Sequence, residues 1–169
     1  MKWLERSANI AVIVAVAVFL FLAARNDFFA PKPQLQPQAN PQKDLTGTTL
    51  SLPGFSFANG RDSLVLVVST NCHFCQDSLP FYKQLSEKIH GKVDLIAALP
   101  EPENEAKKFL ADAGVQTDHI VKAIPNSIGV LGTPTVLLVD GKGKVKNVWL
   151  GRLDETGQKQ LLSTVLPRG

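Results

Sequence analysis

Leu64-Val65-Leu66-Val67-Val68-Ser69-Thr70-Asn71-Cys72-His73-Phe74-Cys75-Gln76-Asp77-Ser78-Leu79-Pro80 contains both cysteines of the chain. The apolar run Leu64 to Val68 reads as a strand buried on both faces. Beyond the cysteines, Leu79, Tyr82, Leu85 and Ile89 recur at helical spacing. The pair therefore falls where a strand turns into a helix, with Cys72 at the helix N-terminus. Unpaired backbone N–H groups and the helix dipole favour a thiolate there. After about one helical turn the second sulfur returns beside the first, so the two can close a small disulfide ring. A thiolate at Cys72 can open a partner's disulfide, and Cys75 can then resolve the mixed disulfide.

Other uses of two cysteines fit less well. A zinc site would need a second cysteine pair, and His73, His90 and His119 do not supply ligand spacing, so no metal site is expected. Haem attachment needs a histidine directly after the second cysteine, and Gln76 stands there. An inert structural disulfide remains an alternative. The strand–C-x-x-C–helix context favours redox chemistry over it.

The 169 residues suffice for one domain and a tail. From Leu45 onward there are 13 Lys and Arg against 12 Asp and Glu. With no basic stripe, nucleic acid is not an expected partner. Residues 1–30 contain Lys2 and Arg6, then no polar side chain from Ile10 to Ala24. Such a run can just span a bilayer, which takes roughly 17–25 residues. It reads as an N-terminal transmembrane helix, with a cleaved signal peptide as the alternative. The preceding positive charges place the N-terminus in the cytoplasm. The rest then lies across the membrane, in the periplasm or its equivalent, where disulfides persist. Residues 31–44 form a Pro/Gln-rich linker, a semi-rigid spacer of roughly 40 Å at about 3.1 Å per residue.

Residues 45–169 read as one α/β domain. Thr46 to Phe57 suggests a short hairpin or irregular edge, and Asn59-Gly60 a turn. A helix is expected from Cys72 to about His90, kinked by Pro80 and stopped by Gly91. Val93 to Leu99 follows as a second buried strand, then a helix over Glu103 to Ala113 capped by Gly114. Val115 to Val121 reads as a short extended segment, and Ile124 to Leu131 is ambiguous. Thr135 to Val139 is a third strand. Gly141-Lys142-Gly143 turns the chain into a fourth, Lys144 to Leu150. Asp154 to Leu166 closes as an amphipathic helix. This order gives a mixed central sheet flanked by helices.

Three features together resemble the thioredoxin superfamily. They are Cys72-His73-Phe74-Cys75 at the strand–helix junction, Gly132-Thr133-Pro134 before the third strand, and the glycine-containing hairpin leading to the last strand and helix. With the anchor and linker, the chain is similar to the membrane-anchored TlpA/ResA-like branch. The resemblance covers about Leu45 to Leu166 and implies a thioredoxin-like fold. It implies that Cys72 is the nucleophile and Cys75 the resolving thiol. Thr133 and Pro134 would match the cis-proline loop that pairs with the substrate backbone. His73 and Phe74 would modulate the pair, through an imidazole beside Cys72 and an apolar docking spot. The sequence departs from the family in having Asn71 where tryptophan is frequent. It also has Leu66 where thioredoxin buries an acid, so a proton leaving Cys75 needs water or another group. Asp77, the nearest acid in sequence, reads as solvated.

The implied function is a membrane-tethered thiol–disulfide oxidoreductase at the inner membrane, facing the periplasm and needing no dissociable cofactor. Its partners would be exported proteins with cysteines and a membrane redox partner protein. The look-alike branch adds a role in cytochrome c maturation. The alternative is a copper-binding assembly chaperone on the same fold, since thiolates suit Cu(I). Only His119 could complete that site. A scaffold with a vestigial disulfide is a further reading. A peroxide-reducing variant lacks its usual lone cysteine in a Pro/Thr-rich loop.

Overall fold

The computed structural model describes residues 14–18, 21, 45–57 and 60–166. Residues 14–18 and 21 are helical. Among the described residues no helix is long and apolar enough to cross a membrane. Nearly all of the expected anchor over 1–30, and the whole of the expected linker over 31–44, lie outside the described residues. The chain divides into two compact units, 1–40 and 41–169. The second unit contains both cysteines and all the described strands.

Five strands form one mixed sheet in the order β3-β2-β1-β4-β5. They are β1 (Ser63–Val67), β2 (Asp94–Leu99), β3 (His119–Lys122), β4 (Thr135–Val139) and β5 (Val145–Leu150). The helices are α1 (His73–Ile89), α2 (Glu103–Asp112) and α3 (Glu155–Val165). β1 is central. It runs parallel to β2, Val65 opposite Ile96, and antiparallel to β4, Val65 opposite Leu137. β3 pairs in parallel with β2, and β5 antiparallel to β4. This is the thioredoxin-like arrangement.

The period of two along each strand sorts the core into two layers. Leu64, Leu66, Leu95, Ala97, Val136 and Leu138 face one cluster, which all three helices cover with residues such as Tyr82, Leu85, Leu110 and Leu161. Val65, Val67, Ile96, Ala98, Leu137 and Val139 face the other. Among the described residues no long helix covers that second face. Leu45, Leu50 and Leu52 pack in that cluster together with Ile128 and Val130. Full burial of such side chains is worth about 1.5–3 kcal/mol each. This double covering is why β1 is apolar throughout.

Several sequence expectations are refined. The segment 46–57 forms no hairpin of paired strands. It is an irregular strap with isolated bridges Thr49–Lys144 and Leu52–Phe55. It is fastened to the β4–β5 turn by Gly47 N–H to Val145 O at 2.8 Å and Leu50 N–H to Gly143 O at 2.8 Å. The expected extended segment after Gly114 becomes a strand only at His119, adding a fifth strand at the sheet edge. The ambiguous stretch contains a 3-10 turn over Pro125–Ile128. Gly91 follows α1 with φ of 72°, a left-handed value that glycine adopts at little cost.

Candidate active site

β1 delivers the chain into the turn Ser69 to Asn71, and Cys72 caps α1. Its backbone is extended, with φ of −97° and ψ of 113°. Its sulfur accepts the N–H of Cys75 at 3.2 Å. Its carbonyl accepts Cys75 N–H at 3.0 Å and Gln76 N–H at 3.1 Å. The helix thus begins one residue later than expected. The reason is that an N-cap residue supplies acceptors while its own backbone stays non-helical.

Cys72 and Cys75 are joined by a disulfide, with their Cα atoms 5.1 Å apart. The two sulfurs have unequal surroundings. Cys75 is 0% exposed and belongs to the helix-covered core cluster, whereas Cys72 is half-buried at its edge. An incoming thiolate can therefore reach Cys72 but not Cys75. Leu66, also 0% exposed, lies in the same apolar cluster as Cys75.

The Gly132-Thr133-Pro134 loop comes from the other side of β1. The Thr133 carbonyl oxygen lies 3.5 Å from Cys72 Sγ, and the Thr133–Pro134 peptide bond is cis. The Thr135 hydroxyl donates to the Gly132 carbonyl at 2.7 Å, bracing the loop. The structure thus brings Cys72, Cys75, Thr133 and Pro134 together.

His73 and Phe74 both project outward from the first turn of α1. Phe74 is 58% exposed, an unusual position for so large an apolar side chain. The His73 ring tilts toward Phe74 at 5.8 Å between centroids, and its Nε2 lies 3.6 Å from Asp77 Oδ2. The same Asp77 oxygen accepts Arg152 at 3.0 Å. Asp77 is therefore exposed yet ion-paired, not merely solvated. A cleft of about 420 Å³ beside it is lined by Asp77, Pro80, Phe81, Arg152, Asp154 and Gln158 among others, and neither cysteine lines it. His119 stands on edge strand β3, its ring 5.0 Å from that of Phe55. It pairs with Ile96, well back from the end of β2 that leads toward the disulfide. His90 is exposed beyond the end of α1. Among the described residues no three His, Cys, Asp or Glu side chains are grouped to hold a metal ion.

Sequence reasoning missed Glu101. It follows β2, and its Oε1 accepts Ser69 Oγ at 2.6 Å and Thr70 N–H at 3.0 Å, both in the turn before Cys72. Burial pushes this carboxyl up. Hydrogen bonds from Ser69, its own backbone and Thr70 outweigh that and hold it below the ordinary 4.5. The only hint in sequence was an acid between Pro100 and Pro102 at a strand end.

The comparisons agree with this geometry. No family model matches the chain. The thiol-disulfide oxidoreductase ResA of Geobacillus thermodenitrificans is 27% identical over 130 residues, 73% of this chain and 72% of that protein. Among solved structures, a thiol-disulfide isomerase from Corynebacterium glutamicum superposes with a TM-score of 0.57 at 19% identity. The match covers 73% of this chain and 98% of that one. A putative thiol:disulfide interchange protein DsbE from Chlorobium tepidum gives a TM-score of 0.56 at 22% identity, covering 71% and 97%. The structural matches establish the fold, and the ResA similarity adds a relative in sequence. The fold is thus thioredoxin-like, and with its cysteine pair at the head of α1 the chain is similar in sequence to the thiol–disulfide oxidoreductase ResA.

Proposed function

We propose that the chain is a membrane-tethered oxidoreductase that exchanges the Cys72–Cys75 dithiol and disulfide with cysteines of exported proteins. The asymmetry of the pair carries this reading: Cys72 is accessible at a helix N-terminus and Cys75 is 0% exposed. In the reducing direction the Cys72 thiolate attacks a substrate disulfide. A Cys72–substrate bond forms, the substrate bond breaks, and one substrate sulfur leaves as thiolate. Cys75, as thiolate, then attacks Cys72 and expels the second substrate sulfur. Two electrons pass to the substrate and the Cys72–Cys75 bond closes. The oxidising direction is the reverse. The chemistry needs no dissociable cofactor.

Thr133 and Pro134 receive the substrate backbone beside the reacting sulfur. Phe74 offers an apolar docking point, and His73 tunes the pair from the same helical turn. Residues 1–30 anchor the protein in the inner membrane and residues 31–44 space it from the surface. The domain over 45–169 works on the periplasmic side. A membrane redox partner protein resets the pair, because the chain has no further cysteine to relay electrons. An exported apocytochrome with a C-x-x-C-H haem-attachment pair fits such an exchange, which gives the chain a part in cytochrome c maturation.

The test is substrate trapping in cells with the full chain. Cys75→Ser should accumulate mixed disulfides on Cys72 with exported proteins, and Cys72→Ser should accumulate none. Equal yields from the two variants, or none from either, would overturn the assignment.

A further inference from the structure

The turn that carries Cys72 converges on one oxygen. Glu101 Oε1 accepts Ser69 Oγ at 2.6 Å, Thr70 N–H at 3.0 Å and Thr70 Oγ1 at 3.1 Å. Ser69 Oγ in turn accepts the Asn71 N–H at 3.3 Å. The Ser69 carbonyl accepts the N–H of Cys72 itself at 3.2 Å. Gln76 closes the turn from the far side, donating to the Thr70 carbonyl at 2.9 Å. Hydrogen bonds and the backbone of Ser69 thus link the end of β2 to the reacting cysteine. The second carboxylate oxygen, Oε2, is buried and has no hydrogen-bond partner among the described residues. Among them, no Lys or Arg forms an ion pair with Glu101 either. The donors of the cysteine turn, and not a countercharge, hold this half-buried carboxylate in its charged form, which ties its charge to the turn that carries Cys72.

We propose that Glu101 is a positioning residue for the exchange reaction: it clamps the Ser69–Asn71 turn, and its charge opposes the thiolate at Cys72, biasing the pair toward donating electrons. The inference rests on Cys72 being the attacking sulfur. The helix N-terminus and the Cys75 N–H favour negative charge on that sulfur, and Glu101 works against them. Four other charged or titratable groups face the region. His73 and Asp77 come from α1, Arg152 from the chain after β5, and Glu105 from α2. Asp77 is matched by Arg152, and exposed Glu105 accepts Thr70 Oγ1 at 3.4 Å. Glu101 is the partly buried charge that remains unmatched.

The test alkylates the reduced full chain with iodoacetamide across a pH series and maps the label by mass spectrometry. Glu101→Gln keeps an acceptor for the turn and removes the charge. The midpoint of the Cys72 rate profile should move to lower pH, so that alkylation below the midpoint runs roughly fivefold faster, the effect of one like charge in a partly screened site. Glu101→Asp retains the charge and should leave the midpoint in place. Glu101→Leu is a second charge-free variant, and whichever of it and Glu101→Gln melts cooperatively is the one read. A charge-free profile that coincides with the native one overturns the inference and leaves Cys72 as the attacking sulfur. Labelling of Cys75 ahead of Cys72 in the native chain would instead overturn the reading beneath it.

Discussion

Reducing the Cys72–Cys75 bond should leave the domain folded and lower its stability by about 2 kcal/mol. The cysteines are 3 residues apart in sequence, so the ring is small. Closing a loop of about four residues removes roughly 6 cal/mol/K from the unfolded chain, which is about 2 kcal/mol at room temperature. The core does not hang on the bond, since Leu64, Val65, Leu66 and Val67 are each 0% exposed through packing on two faces. The same figure has a redox meaning. The stability difference between oxidised and reduced folds equals the difference in reduction free energy between folded and unfolded pairs. At about 1.4 kcal/mol per 30 mV, the folded pair should be roughly 40 mV more reducing than the pair in the unfolded chain. Thiolate stabilisation at the α1 N-terminus subtracts from this value, and Glu101 restores part of it. The assay is urea unfolding of the full chain followed by circular dichroism, with and without excess thiol reductant. Reduction that unfolds the chain without urea would make the bond structural. A reduced form more stable than the oxidised one would mean that thiolate stabilisation dominates. Either result refutes the reasoning.

Two further perturbations probe the scaffold. Burial raises the Tyr82 phenol to about 12 from the ordinary 10.0, with the Ser78 hydroxyl pulling it partly back. A pKa raised in the fold gives stability that is intact below about pH 10 and lost as the pH climbs toward 12, roughly 3 kcal/mol in all. Tyr82→Phe should flatten that alkaline loss in urea melts, and an unchanged slope would count against it. At the start of α3, Asp154 Oδ1 accepts the Gly157 N–H at 2.8 Å. Asp154→Ala should cost about 1 kcal/mol, read as a lower urea midpoint at constant slope. No shift in the midpoint would show that α3 does not depend on its cap.

Most of this architecture was legible because each long element announces itself locally. β1, β2 and β4 are apolar runs covered on both faces, and α1 and α2 stop near glycines that adopt positive φ, Gly91 and Gly114. The cysteine spacing and the strand before it located the disulfide. What stayed hidden depends on neighbours distant in sequence. In β3 only Val121 is buried, so no period betrays a strand that exists because β2 offers it hydrogen bonds. The strap over 46–57 is fixed by the β4–β5 turn almost a hundred residues later. Glu101 gains its meaning only because β2 ends beside the turn after β1. An acid after a strand ordinarily reads as solvated, and nothing local says otherwise.

The strap also settles where a pull on the N-terminal side of the domain is felt. It is fastened at Val145 and Gly143, beside the turn that joins β4 to β5. Val139, just before that turn, pairs with Ser63 at the start of β1, whereas Thr135 pairs with Val67 next to the cysteines. The chain therefore joins the domain at the pole of the sheet opposite the disulfide. Tension applied ahead of Leu45 loads three backbone hydrogen bonds there, including Val145 N–H to Thr48 O at 2.9 Å. The domain can thus be held like a tool by its handle, with the reactive sulfur at the far tip.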